Sequence, residues 1–522
     1  MLTLPTLLHR GRSLLLAALA ALLALPALAQ NDPPGRVGRI AWTSGDVYLN
    51  NPQTGELGAA PLNQPLTSGD IVSTAPGARA ELQIGAMTLR LDSGSRIVLD
   101  RIDDESVHVR LDDGGLIAKL PTDDTRRDFL LDTPHARFRA RDTGLYRFDQ
   151  DHRGTVATPY FGTLRADGRD AAIDIGAGEA ARVWADDAGR FAYRMMQGRS
   201  DEFTQWSAAR DQQQRASATA RYVSPEMTGA QDLDRWGDWS ETPDYGAVWF
   251  PRTVAADWAP YRDGHWAWVA PWGWTWVGNE PWGFAPFHYG RWVRIHGAWA
   301  WVPGNRVARP AFAPALVVWM GTSGGSFSLS IGTPPVRWFP LAPREVYVPF
   351  YRSSRAHVRH VNEPHVRAIR NLDDIVVRPH EVVRHTRFIH RDEPRAVSVA
   401  PSRTFRHERP EPRTRDARRE EDRSRQVEHR QSAPAVVVRT PRPVVQEVPR
   451  QRMEERRPSR EPSREKTVAK PMESREANPA RVQAQREERR PERQEPREKR
   501  EKQEQRDDRH ERKQRADDER RR

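Results

Sequence analysis

A serine, a set of histidines and several carboxylates are the residues of this 522-residue chain whose types could support chemistry. Gly321-Thr322-Ser323-Gly324-Gly325 matches G-x-S-x-G, the pattern of a nucleophile elbow. That elbow needs a strand before the serine and a helix after it. Leu316 to Met320 suits the strand, but Ser326-Phe327-Ser328-Leu329-Ser330-Ile331 alternates like another strand, so a hairpin turn is expected. Histidines gather at His357, His360 and His365, and again at His380, His385 and His390. Metal binding needs ligands that converge with second-shell support. Arginines interleave both groups and oppose a cation, so a solvated basic linker is expected. Asp103-Asp104, Asp112-Asp113, Asp123-Asp124 and Asp186-Asp187 lack the EF-hand loop pattern and are read as turn residues. Glu280 and Asp263 are the carboxylates nearest the aromatic stretch described next, and no catalytic motif surrounds them. With no cysteine there is no disulfide, thiolate ligand or thiol nucleophile. The chain is expected to be no enzyme, with no catalytic residue, metal or cofactor.

The tryptophans form the other conspicuous group. Fifteen of the 18 lie between Trp236 and Trp338. Trp266 and Trp268 are two apart, as are Trp272, Trp274 and Trp276, and Trp299 and Trp301. A period of two places side chains on one face of a strand. Gly264, Pro271, Gly273, Gly278, Pro281, Gly283, Pro286, Gly290, Gly297 and Pro303 punctuate the run at hairpin spacing. Short antiparallel strands are expected from about 236 to 350. Gly-x-Trp-x-Trp-Val at Gly264 returns at Gly297, an imperfect duplication without a fixed period. The rings form either a core or a stacking surface for an envelope glycan or protein. The candidate surface is Trp266, Trp268, Trp272, Trp274, Trp276, Trp282, Trp292, Trp299 and Trp301.

Residues 37–195 are expected to be all-β, a sandwich or roll, with strands every 8–12 residues. Val107, Val109 and Leu111 alternate and are expected to stop at the Asp113-Gly114 turn. The phrases "SGDVYL", "PLTSGDIVSTAPGARAEL", "LRLDSGSRIVL", "TPHARFRARDTGLYRF" and "IDIGAGEAARV" resemble the FecR-like domain over about 150 residues. Asp142 departs from that family's pattern, standing where many members carry glycine. The resemblance implies a periplasmic domain that receives a signal from an outer-membrane receptor. Signalling members also carry a cytoplasmic anti-sigma segment and a membrane helix, which are not seen here. The aromatic stretch, with "VRWFPLAPREVYVPFYRSS", resembles a domain of unknown function that follows FecR-like domains in exported Gram-negative proteins. That resemblance implies location and architecture but no activity.

The remaining segments frame these two. Met1 to Ala29 reads as a signal peptide, with His9, Arg10 and Arg12, an apolar Ser13 to Leu25, and Ala27-Leu28-Ala29 as cleavage site. No second apolar stretch is long enough to span a bilayer. The mature protein is expected to begin at Gln30 and to be periplasmic or secreted. Residues 199–221 read as a connector helix with Ser200 as N-cap and Phe203 and Trp206 on one face. From 351 to 522 a disordered Arg/Glu/Pro-rich tail is expected, with a helix possible near its end. The net charge of +12 belongs to this end: residues 401–522 hold 38 basic and 27 acidic residues, +11. Near-balanced charge on an exported chain argues against a specific nucleic-acid partner. Oligomeric state is not legible. The reading is a non-enzymatic scaffold or binding protein of the cell envelope, with a FecR-type signalling component as the alternative and a glycan-active enzyme third.

Overall fold

The computed structural model describes residues 32–51, 55–213, 218–320 and 335–405. The expected signal peptide, the turn expected at 321–325 with the strand expected after it, and the residues beyond 405 lie outside the described residues. The fold is mainly β and antiparallel.

The first domain begins with β1 (Gly38–Ser44), β2 (Val47–Asn51), β3 (Glu56–Ala59), β4 (Pro65–Leu66), β5 (Ile71–Thr74), β6 (Arg79–Ile84), β7 (Met87–Leu91) and β8 (Arg96–Ile102). It continues with β9 (Val107–Leu120), helix α1 (Asp123–Asp128), β10 (Phe129–Asp132), β11 (Arg137–Ala140), β12 (Gly144–Asp151) and β13 (Gly154–Phe161). It ends with β14 (Leu164–Asp167), β15 (Ala172–Ile175), β16 (Glu179–Ala185) and β17 (Phe191–Gln197). One sheet runs β4-β1-β6-β7-β9-β12-β13-β16-β17. The other runs β3-β2-β5-β8-β9-β10-β11-β14-β15. A mainly aliphatic hydrophobic core that includes Ile40, Leu82, Leu89, Leu99, Val109 and Val183, with Phe138 and Phe148, fills this domain.

Strand β9 belongs to both sheets. Its first half pairs with β8 and β10, its second with β7 and β12. The expected turn at Asp113-Gly114 is therefore corrected: the strand passes through it. Gly114 sits at φ +83°, and a Cβ there would lie 2.5 Å from Ser95 Cα. A residue without Cβ is needed to bend the strand from one sheet to the other. Asp112 and Asp113 are strand residues and Asp123 and Asp124 open α1, whereas Asp103 and Asp186 do hold turns by accepting backbone N–H groups.

Helix α2 (Glu202–Gln213) packs on this domain. Its N-cap is Asp201, not Ser200, since the Asp201 carboxylate accepts the Thr204 N–H at 3.0 Å. Phe203 is buried and stacks on Trp206 at 5.8 Å. A buried ion network fastens the helix. Arg90 donates to Glu81 (2.9 Å), Ser207 (2.7 Å) and Asp211 (2.7 Å), and Arg210 donates to both Glu81 oxygens. Burial alone would raise the Glu81 carboxyl, but the Arg210 hydrogen bond and the charges of Arg90 and Arg210 hold it at about 2.

The second domain contains α3 (Leu233–Trp236), β18 (Gly237–Thr242), β19 (Gly246–Pro251), β20 (Gly264–Val269), β21 (Gly273–Gly278) and α4 (Ala285–His288). After these come β22 (Arg291–Ile295), β23 (Ala298–Val302), β24 (Val317–Met320) and β25 (Val336–Pro340). They form a sheet β18-β19-β23-β22, a hairpin β20-β21, and a sheet β24-β25-β26, whose last strand β26 is Ser398–Ala400.

That last strand corrects the expectation that order ends near 350. Helices α5 (Arg355–Asn362), α6 (Leu372–Val377) and α7 (Pro379–His385) precede it. Val358, Val361 and Phe388 are buried, and Phe405 reaches the tryptophan cluster, 5.4 Å from Trp274 and 5.5 Å from Trp319. The histidines expected on a solvated linker are only partly so: His385 is exposed and His380 half-buried, but others pack into the fold. His357 is buried with Nε2 2.9 Å from the Tyr351 hydroxyl, His360 Nε2 lies 3.0 Å from the Arg309 carbonyl, and buried His390 Nδ1 lies 2.9 Å from the Pro340 carbonyl. These few apolar anchors are spaced too widely among arginines to raise the local hydropathy.

The two domains share a polar seam. Arg39, fully buried, donates to Gln83 (2.6 Å), Asn63 (2.9 Å) and Asp232. Asn63 then donates to the carbonyls of Gly278 (3.0 Å) and Glu280 (2.7 Å). Thr228 donates to the Val37 carbonyl and accepts the Gly85 N–H. Each member satisfies the next, which removes the cost of burying them singly.

Trypsin digestion of the full chain is expected to leave a core that extends past Phe405; a stable core ending near residue 350 would contradict the fold described. Phe405→Ala is expected to lower stability by about 3 kcal/mol in denaturant titration.

Candidate functional site

The tryptophans come first, because they are the residues a binding surface would need. Cross-strand pairing lines them up by register. Trp239 faces Trp249, Trp249 faces Trp301, and Trp301 faces Trp292, a row across all four strands of one sheet. Trp266 faces Trp276 and Trp268 faces Trp274 in the hairpin, and Trp319 faces Trp338 in the third sheet. Directly opposed residues share a face, so each row is a continuous wall of indoles.

These walls face inward. Of the nine candidate surface residues, Trp266, Trp272, Trp274, Trp276, Trp282, Trp292, Trp299 and Trp301 are buried, and Trp268 is half-buried. The rings meet edge to face, Trp266 on Trp276 at 5.3 Å, Trp268 on Trp274 at 5.5 Å, and Trp249 on Trp282 at 5.0 Å. Several indole N–H groups are satisfied by carbonyls in the same domain: Trp249 by Leu233, Trp292 by Pro286, Trp301 by Tyr289 and Trp338 by Tyr261. The structure thus brings the predicted residues together, but as a core. The eight buried rings leave little surface for a sugar or a partner, and Trp268 keeps part of its surface open.

The other candidates behave alike. Glu280 is buried, and its Oε1 accepts the Trp258 indole N–H at 2.8 Å, while Oε2 has no hydrogen-bond partner. Burial pushes its carboxyl up to about 8, helped by the charge of Asp263. Asp263 accepts from Asn279 at 2.8 Å. His288 is fully buried with Nδ1 2.8 Å from the Ala313 carbonyl, and burial brings it down to about 3. Among the described residues no group of three or more His, Asp or Glu side chains is placed to hold a metal ion.

An accessible feature that the sequence reading does not single out lies in the first domain. Strand β17 pairs with β16 alone among the described residues. Tyr193 and Met195 lie opposite Val183 and Ala181, so all four share one sheet face. Val183 and Ala181 are fully buried, whereas Tyr193 is 51 % exposed and Met195 42 %. The apolar face thus continues past the end of its cover. Met196 is exposed on the opposite face. The Phe191 N–H bonds to the Asp170 carboxylate rather than to β16, which marks the odd-numbered residues as those whose backbone groups point outward. The alternation Phe191, Tyr193, Met195 in the sequence is the signal that could have identified it. It reads as an ordinary half-buried strand until the absence of a neighbour is seen.

The Glu280 geometry gives a pH expectation. Its folded value lies above the unfolded one, so between about 4.5 and 8 the folded chain holds the extra proton and stability falls as pH rises. Glu280→Gln keeps an acceptor for Trp258 and removes the titration. The variant is expected to gain melting temperature relative to the parent at pH 8.5 but not at pH 4.5; a gap independent of pH would show that Glu280 is not held neutral.

Residues 70–165 match the FecR protein family, and residues 230–345 match a family of unknown function, DUF6600. No curated protein matches the chain. Two solved structures of a proposed anti-sigma factor from Parabacteroides distasonis are similar to it. One is 12 % identical with a TM-score of 0.22, covering 26 % of this chain and 64 % of that one. The other is 11 % identical with a TM-score of 0.22, covering 35 % of this chain and 99 % of that one. The first match thus spans under two thirds of that relative's length. The chain carries a FecR domain followed by a DUF6600 domain.

Proposed function

We propose that this chain is a non-enzymatic FecR-type component of the bacterial envelope that works by binding another envelope protein. The observation that carries the reading is the open edge of β17. An unpaired strand edge offers a ladder of backbone donors and acceptors, and natural proteins usually blunt such edges. Here the edge carries Tyr193 and Met195 on one face and Met196 on the other. Backbone pairing would supply affinity and the exposed side chains specificity, the mode by which an extended segment adds a strand to a sheet. The FecR family match supports a partner among envelope proteins or receptors. The expected export signal puts the domain in the same compartment. The DUF6600 domain serves as a rigid base, joined to the FecR domain through the Arg39 seam.

This reading takes precedence over a glycan-binding scaffold, because the rings such a scaffold would use are buried. A photoreactive amino acid in place of Tyr193, in the full chain expressed in its native envelope, tests it. The expected product is a discrete adduct with an envelope receptor or regulator, reduced about tenfold by Met195→Pro, equivalent to about 1.4 kcal/mol. Proline removes a donor from the open edge. An adduct with glycan alone, or one unaffected by Met195→Pro, would refute the reading.

A further inference from the structure

On the other sheet lies a concavity of about 450 Å³, lined by residues of β9, α1, β10 and β11. Five arginines line it: Arg126 and Arg127 from α1, Arg137 and Arg139 from β11, and Arg141 just after it. We propose that it is a docking groove for an extended acidic peptide segment, a second contact surface independent of β17.

The spacing selects the ligand. Phe138 and Ala140 are buried while Arg137, Arg139 and Arg141 are exposed, so the three arginines alternate onto the outward side. The Arg141 N–H bonds to the Thr163 carbonyl at 2.8 Å, which keeps it in line with the strand. Alternate residues of a strand lie about 6.8 Å apart. The guanidinium row therefore repeats at the interval at which an extended peptide presents acidic side chains at i, i+2 and i+4. Guanidinium forks match carboxylates in shape and charge.

Aspartates already touch these arginines, and their positions matter. Arg126 pairs with Asp123 (3.2 Å), Arg127 with Asp124, Arg137 with Asp132 (2.7 Å), Arg139 with Asp167 (2.8 Å) and Arg141 with Asp174 (3.7 Å). None of these five carboxylates lines the concavity. The acidic residue that does, Asp128, is nearly buried and is paired with Arg36 at 2.6 Å and Arg309 at 3.4 Å. Each aspartate occupies only part of a five-donor guanidinium. The pairs therefore act as tethers: they hold the forks in place, lowering the entropy an incoming acidic segment must lose, and leave donors for it.

The test is fluorescence anisotropy of a labelled Glu-Thr-Glu-Thr-Glu-Thr-Glu peptide with the full chain. The Arg-rich C-terminal segment contributes the same background to every variant. Saturable binding is expected, lost at high salt. The double substitution Arg139→Glu and Arg141→Glu is expected to weaken it at least about tenfold, each carboxylate opposing the ligand's own. Arg190→Glu, in the turn between β16 and β17, should leave it unchanged. Arg139→Gln keeps a donor for Asp167 and should weaken binding about threefold with an unaltered melting curve. Equal binding by the double variant or by Arg139→Gln would overturn the proposal. So would equal affinity for a peptide with its four glutamates contiguous, or tighter binding of a single-stranded oligonucleotide through the same arginines.

Discussion

Cross-strand pairing of tryptophan is the interaction on which the second half of this chain depends. The domain has short strands, few large aliphatic side chains and many turns. Such a domain gains little from its backbone ladders alone. An indole removes roughly 150–250 Å² from water, worth on the order of 4–6 kcal/mol per ring as an upper bound. Opposing them by register, as in the row Trp239-Trp249-Trp301-Trp292, lets one residue type fill the space between small sheets. Backbone carbonyls of Leu233, Pro286, Tyr289 and Tyr261 then take up indole N–H groups that would otherwise be stranded.

A core built this way constrains everything around it. Phe405 and β26 close its side, so the chain must fold back from residue 400 to complete a domain that begins near 230. Glu280 lies buried beside Trp258, and burial pushes its carboxyl up to about 8. The seam to the FecR domain uses backbone carbonyls of the same hairpin region, those of Gly278 and Glu280, as acceptors for Asn63. Among the described residues, the FecR domain offers two accessible features, the open edge β17 and the outer face of β11.

Much of this was legible in the residues. The period of two at Trp266, Trp268, Trp274 and Trp276 specified strands, and the alternation of Val107, Val109 and Leu111 specified a one-sided face. A FecR match at residues 70–165 followed by a DUF6600 match at 230–345 has the order that the resemblances imply. Three things were not legible. Period two says that side chains share a face, not whether another sheet covers it, so a core and a stacking surface look alike. Asp113-Gly114 has the composition of a turn, and only the contact of Gly114 with Ser95 shows a bend between two sheets. The segment from 351 to 405 carries its anchors Val358, Val361, Phe388 and Phe405 so sparsely that its arginines dominate any average.

The claim that the tryptophans are a core is tested most directly by acrylamide quenching of tryptophan fluorescence in the native full chain, with and without peptidoglycan. The account predicts that most of the emission is shielded, that denaturation exposes it, and that glycan leaves the quenching constant unchanged. Ready quenching of most of the native emission, or its protection by glycan, would contradict it.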